Sequence, residues 1–126
     1  MSYRSLLLID DDEDDQHIFM TAATEVSGKV HCVGFQDARE ALKKLTDREV
    51  SPDVIFLDLN MPIMNGEQFL TEIKKHDELK HIPVIIFSTS SNQKTIRTLE
   101  QMGATSFITK PSLYDELVDI LKPLLI

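Results

Sequence analysis

Carboxylates and one ammonium stand where three apolar runs of this sequence end. Leu6-Leu7-Leu8-Ile9 leads into Asp10-Asp11-Asp12, Val54-Ile55-Phe56-Leu57 into Asp58, and Ser106-Phe107-Ile108-Thr109 into Lys110-Pro111. A carboxylate delivered by a buried strand into a loop punctuated by Pro62 and Gly66 is held on a rigid support and presented at one edge of a sheet. Carboxylates sharing one pocket raise each other's pKa unless a cation compensates. The available ligands are all hard oxygens, with no Cys or His at ligand spacing, which favours Mg2+ over Zn2+. Mg2+ takes one or two carboxylates together with waters and a phosphate oxygen. Lys110 is a point charge suited to phosphoryl oxygens, and Ser88, closing the run Val84 to Phe87, brings a hydroxyl donor. Acid, metal, base and hydroxyl together describe phosphoryl transfer onto a carboxylate.

That chemistry requires the runs to be strands of one sheet. Apolar runs rich in Val, Ile, Leu and Phe recur at 6–9, 30–35, 54–57, 84–87 and 105–108, each too short for a helix and unbroken enough for a strand buried on both faces. Helical patterns lie between them. They are carried by Ile18, Phe19, Ala22, Ala23 and Val26; by Ala38, Ala41, Leu42 and Leu45; by Phe69, Leu70 and Ile73; by Ile96, Leu99 and Met102; and by Leu113, Leu117, Ile120, Leu121 and Leu124. Asp37 and Ser91 stand where N-caps belong, Gly28 and Gly103 where helices stop, and Pro52 and Pro83 just before strands. Strict alternation over five units predicts an α/β fold: a doubly wound five-stranded parallel sheet with helices on both faces. In such sheets ligands bind beyond the carboxyl ends of strands where strand order reverses. With the order 2-1-3-4-5, the first and third strands are neighbours about 4.8 Å apart, and Asp10, Asp11 and Asp58 converge.

Composition narrows the partners. The chain of 126 residues is 42% hydrophobic without a composition break, which fits one domain over 1–126. A net charge of -8 argues against direct nucleic-acid binding, which is mostly Lys/Arg neutralisation. Leu6 to Ile9 is far too short to span a bilayer and nothing before it reads as a signal peptide, so the expectation is a soluble, cytoplasmic protein. Cys32, the only cysteine, is read as a buried, inert thiol.

Each feature also has an ordinary reading. An acidic run is by itself a solvated loop or a helix start favoured by the macrodipole, and Asp14 and Asp15 are read that way. Lys110 before Pro111 is a surface lysine in many turns, Ser88 to Ser91 suit a helix cap, and Asn65-Gly66 is taken as a turn before a helix. His17, His76 and His81 show no ligand spacing. No Gly-x-Gly-x-x-Gly follows the first run, which speaks against a nucleotide site. The joint placement of the charged groups at the ends of separate strands favours the functional reading, because independent solvated charges have no reason to collect on one edge.

The segment Asp58-Leu59-Asn60-Met61-Pro62-Ile63-Met64-Asn65-Gly66, an acidic pair after the first run and Lys110-Pro111 after the fifth resemble the receiver domains of two-component response regulators, in particular free-standing ones like the chemotaxis regulator. The likeness covers essentially the whole chain. It implies a flavodoxin-like receiver fold without an output domain and a phosphoryl group accepted by Asp58 from a histidine kinase or histidine phosphotransfer protein. It also implies Mg2+ held by Asp11 and Asp58 directly, by the Asn60 carbonyl and by Asp10 through water, with Lys110 on the acyl phosphate. The family's switch pair falls on Ser88, chosen over Thr89, and on Phe107, where a Tyr is common. A cis Lys110–Pro111 bond is common in the family, and residues at Asn60 and Ser90 tune phosphoryl lifetime. The output surface falls on 94–102, 104–109 and 112–121, acting on a separate downstream protein, the receiver itself a monomer or weak dimer. Such a protein is a phosphoacceptor rather than a turnover enzyme. Two other readings compete: an interaction module of the same fold that works without phosphorylation, and a phosphohydrolase of the haloacid dehalogenase type. The latter calls for an Asp where this chain has Asn60, and for a substrate-covering insertion.

Overall fold

The short apolar runs form strands because most of their residues are β-branched, aliphatic or aromatic, and they are cut off by charged or turn-forming residues. A computed structural model describes residues 2–89 and 92–125. In chain order its elements are β1 (Ser5–Ile9), α1 (Glu13–Val26), β2 (His31–Phe35), α2 (Ala38–Thr46), β3 (Val54–Leu57), α3 (Gly66–Ile73), β4 (Val84–Ser88), α4 (Gln93–Gln101), β5 (Ser106–Thr109) and α5 (Tyr114–Leu121). Every neighbouring pair of strands is parallel, in the order β2-β1-β3-β4-β5. This is the predicted doubly wound, flavodoxin-like arrangement.

Two cores follow from the alternation of side chains across the sheet. Leu7, Ile9, Ile55, Leu57, Val84 and Ile86 pack on one face with Ala41, Leu45, Phe69, Leu70, Ile73 and Leu99 of α2, α3 and α4. Leu6, Leu8, Val54, Phe56, Ile85 and Phe87 face the other way, against Phe19, Ala22 and Ala23 of α1 and Leu117, Val118 and Leu121 of α5. The Phe19 ring sits between Phe56 and Phe87, with centroids 4.9 and 5.5 Å away, and fixes α1 on the central strands. Tyr3 and Leu125 form an isolated parallel bridge that closes the amino-terminal edge of the sheet.

The helix starts are side-chain capped where Asp and Asn allow it. Asp12, Asp37, Asn65 and Asn92 accept bonds from the first-turn amides of α1, α2, α3 and α4. The cap expected at Ser91 falls outside the described residues, and the cap of α4 is Asn92. Gly103 ends α4 at φ +105°, as a left-handed stop requires. Gly28 takes no such conformation, because the extended Ser27 closes α1 and its N–H donates to the Ala23 carbonyl at 3.0 Å. Two residues of the predicted apolar stripes face outward instead: Ile18 is 45% exposed and Leu113, the residue before α5, 62%. Cys32 is half-buried, and burial pushes its thiol up to about 12, so the inert reading of this group fits. No helix among the described residues is long and apolar enough to cross a membrane.

Candidate functional site

Asp10, Asp58 and Lys110 are each fixed by one backbone hydrogen bond that carries the ladder past the end of a strand. The Asp10 N–H donates to the Phe35 carbonyl at 3.0 Å, Asp58 N–H to the Ile9 carbonyl at 2.9 Å, and Lys110 N–H to the Ser88 carbonyl at 2.8 Å. The register Ile9↔Leu57 sets the residues after β1 and β3 side by side. As a result, one carboxylate oxygen each from Asp10, Asp11 and Asp58 lies within 4.8 Å of the others. That spacing of three hard oxygens, one of them on the exposed Asp11, fits a divalent cation.

Lys110 reaches into the same place from beyond β5. Its Nζ is 2.8 Å from Asp10 Oδ2, 3.0 Å from Asp15 Oδ2 and 3.8 Å from Asp58 Oδ2, and it lies 5.6 Å from the centre of the Phe87 ring. Asp10 and Asp58 are buried, at 1% and 6% exposure. Burial pushes the Asp58 carboxyl up to about 6, with Lys110 and the amides of Asn60 and Leu59 opposing and Asp10 adding to the rise. Asp10 is likewise raised by burial, against the pull of Lys110 and of the Asp12 amide, which donates to its Oδ1 at 2.9 Å. Burial works against the Lys110 ammonium too, but its bonds to Asp10 and Asp15 outweigh that and hold its pKa above the ordinary lysine value.

Ser88 ends β4 fully buried, whereas Thr89 is exposed. Phe107 pairs in register with Ile86, two residues before Ser88, so the ring and the hydroxyl belong to one face of the sheet, where the half-buried ring packs on the α2–α4 core. Asn60 is exposed in the loop after β3. That loop turns sharply: Ile63 stands at φ 67°, an unusual conformation for a β-branched residue, while the Met64 N–H donates to the Pro62 carbonyl at 2.8 Å, closing a three-residue turn. Among the described residues no peptide bond is cis, so Lys110–Pro111 is trans and that expectation is corrected; the tertiary amide leaves the trans form the lower in energy. Ser90 lies outside the described residues.

Three participants escaped the reading of the sequence. Asp15, read there as a solvated helix start, is an ion-pair partner of Lys110 across 95 positions of chain. Gln16 donates from Nε2 to the carbonyls of Asp10 at 2.7 Å and Phe35 at 2.8 Å, tying α1 to the ends of β1 and β2. Gly66 is more than a turn residue: a Cβ there would stand 2.5 Å from the Asp58 carbonyl oxygen and 2.9 Å from Leu59 Cα. The only signals in the sequence were the length of the acidic run and the glycine eight places after Asp58.

Comparison with known proteins agrees with this arrangement. A family model described as "Response regulator receiver domain" matches residues 6–122. The two-component response regulator ORR8 of Oryza sativa subsp. japonica is 35% identical over 111 residues, 88% of this chain and 89% of that protein. A protein-glutamate methylesterase/protein-glutamine glutaminase of Treponema denticola is 49% identical over 78 residues, and the match covers 60% of this chain but only 20% of that enzyme. The phosphorylated cyanobacterial phytochrome response regulator RcpA superposes with a TM-score of 0.87 at 30% identity, over 97% of this chain and 91% of that one. Sequence, strand order and the carboxylate–lysine mouth thus agree, and the chain belongs to the response regulator receiver domain family.

Proposed function

We propose that Asp58 accepts a phosphoryl group from a phosphohistidine on a partner kinase or phosphotransfer protein, and that the phosphorylated domain then acts on a separate downstream protein. The observation that carries this reading is that, of the two buried carboxylates among the described residues, Asp10 is hydrogen-bonded to the Lys110 ammonium and Asp58 is not, standing 3.8 Å from it and within 4.8 Å of the Asp10 and Asp11 oxygens. An Asp58 oxygen attacks phosphorus, the phosphorus–nitrogen bond breaks, and the departing imidazole nitrogen keeps its electron pair and is protonated by solvent. Asp10, Asp11, Asp58 and the Asn60 carbonyl would hold Mg2+, with Asp10 acting through its water shell. When bound, this ion supplies charge neutralisation to the carboxylates and the phosphoryl oxygens.

Lys110 contacts the acyl phosphate and Ser88 donates its hydroxyl to a phosphoryl oxygen. Movement of Ser88 along the sheet face it shares with Phe107 biases the surface of α4, β5 and α5. Phe107 has no phenolic hydroxyl, so its part is packing. Asn60 and Ser90 tune the lifetime of the adduct. The domain is a phosphoacceptor working in the cytoplasm as a monomer or weak dimer, without a metal-hydrolase turnover. The experiment is incubation with Mg2+ and acetyl phosphate. An acid-stable, base-labile adduct is expected on the native chain and not on Asp58→Ala. Absence of the adduct both here and with phosphohistidine donors would favour the phosphorylation-independent module, and sustained turnover of phosphomonoesters would favour the hydrolase.

A further inference from the structure

The Lys110 ammonium has three N–H donors, and the structure commits them unevenly. Two reach Asp10 and Asp15 at 2.8 and 3.0 Å, while Asp58 at 3.8 Å is beyond hydrogen-bond length. The third N–H is uncommitted and can meet a phosphoryl oxygen on Asp58, but drawing the ammonium fully onto that group loosens one of the two existing bonds. Asp10 is poorly suited to release it, because its side chain is 1% exposed and would be left as a bare buried charge. Asp15 differs in each respect. Its side chain is 40% exposed, so water can replace the lysine. It also sits in the first turn of α1, with its amide donating to the Asp12 cap at 3.1 Å, where the helix dipole stabilises a carboxylate whether or not it is paired.

We propose that Asp15 is a positioning residue that competes with the phosphoryl group for Lys110, a releasable latch setting how readily Asp58 is loaded. This rests on Asp58 being the phosphoacceptor. The opposite role, a prop that keeps Lys110 pointed into the site, predicts the opposite sign, so the two are separable by experiment.

The test uses two probes on the whole chain with saturating Mg2+: acetyl phosphate, read as the rate of adduct formation, and beryllofluoride, read as affinity by fluorine NMR. Asp14→Asn removes the same charge from the exposed neighbouring position and serves as the reference. Relative to it, Asp15→Asn is expected to raise both the loading rate and the beryllofluoride affinity about two- to five-fold, the span of a partly exposed ion pair. In a Lys110→Ala background the same substitution is expected to do nothing, which a general loss of negative charge or a change in fold would not produce. A decrease, equality with Asp14→Asn, or an unchanged gain without Lys110 overturns the latch while leaving the phosphoacceptor reading intact. A native chain that takes neither probe overturns both.

Discussion

Asp58 is held in a place that does not suit a carboxylate without a cation. Its pKa stands at about 6 against 3.8 for an ordinary Asp, so protonation is favoured in the fold relative to the unfolded chain. The sign follows: the fold is free of this cost below about pH 4, the cost grows as pH rises from about 4 to about 6, and it is fully present above that. Asp58→Asn is therefore expected to stabilise the metal-free protein by about 1–3 kcal/mol at pH 7.5 in EDTA. The gain should disappear by pH 4, and urea titrations at the two pH values check both parts. A destabilised Asn variant at pH 7.5 would mean that Lys110 compensates Asp58 more fully than a separation of 3.8 Å suggests. At this scale the sequence showed the residue types and the strand ends they occupy. Asp15 and Gln16 were not legible, because their partners at Lys110 and Phe35 are brought to them only by the packing of α1 on the sheet.

Among the elements, the turn between β3 and α3 shows how local signals serve a site. Asn65 and Gln68 form a reciprocal capping box, with both bonds at 2.9 Å, and this fixes the first turn of α3 directly under the Asp58 backbone. Gly66 makes the approach possible. Gly66→Ala is expected to destabilise by about 1–3 kcal/mol, as overpacking does, and to slow acetyl phosphate loading through displacement of the Asp58 loop. Asn65→Ala, losing only a cap, should cost about 1 kcal/mol and leave loading nearly unchanged. Thermal melts and adduct rates for the pair separate close approach from helix stability. Strand and helix positions were readable because each run has one period and a definite stop. The exceptions, Ile18 and Leu113, carry apolar residues to the rim of a groove lined by Asp15, Phe87, Lys110 and Leu117, a placement that periodicity alone does not reveal.

For the molecule as a whole, ion binding to the native state and not to the unfolded chain must appear as stability. At an Mg2+ concentration ten times its Kd the gain is about 1.4 kcal/mol, or a rise in Tm of about 3–6 °C. Asp11→Asn is expected to lose most of that rise while melting normally in EDTA, since the Asp11 side chain is exposed and adds little to the core. An equal rise in both proteins would place the ion elsewhere. The parallel five-stranded sheet was legible from strict alternation of elements, whereas its strand order was supposed rather than derived, and the two-faced partition of helices became definite only through the register of the strands.

The Tyr3↔Leu125 bridge, reinforced by the Tyr3 N–H donating to the Leu124 carbonyl at 2.7 Å, brings the two ends of the described chain together beside the start of β1. Asp10, Asp58 and Lys110 all follow the opposite ends of their strands. Anything joined to either end of the described chain would thus hang from the pole opposite the acidic mouth, clear of whatever approaches its rim.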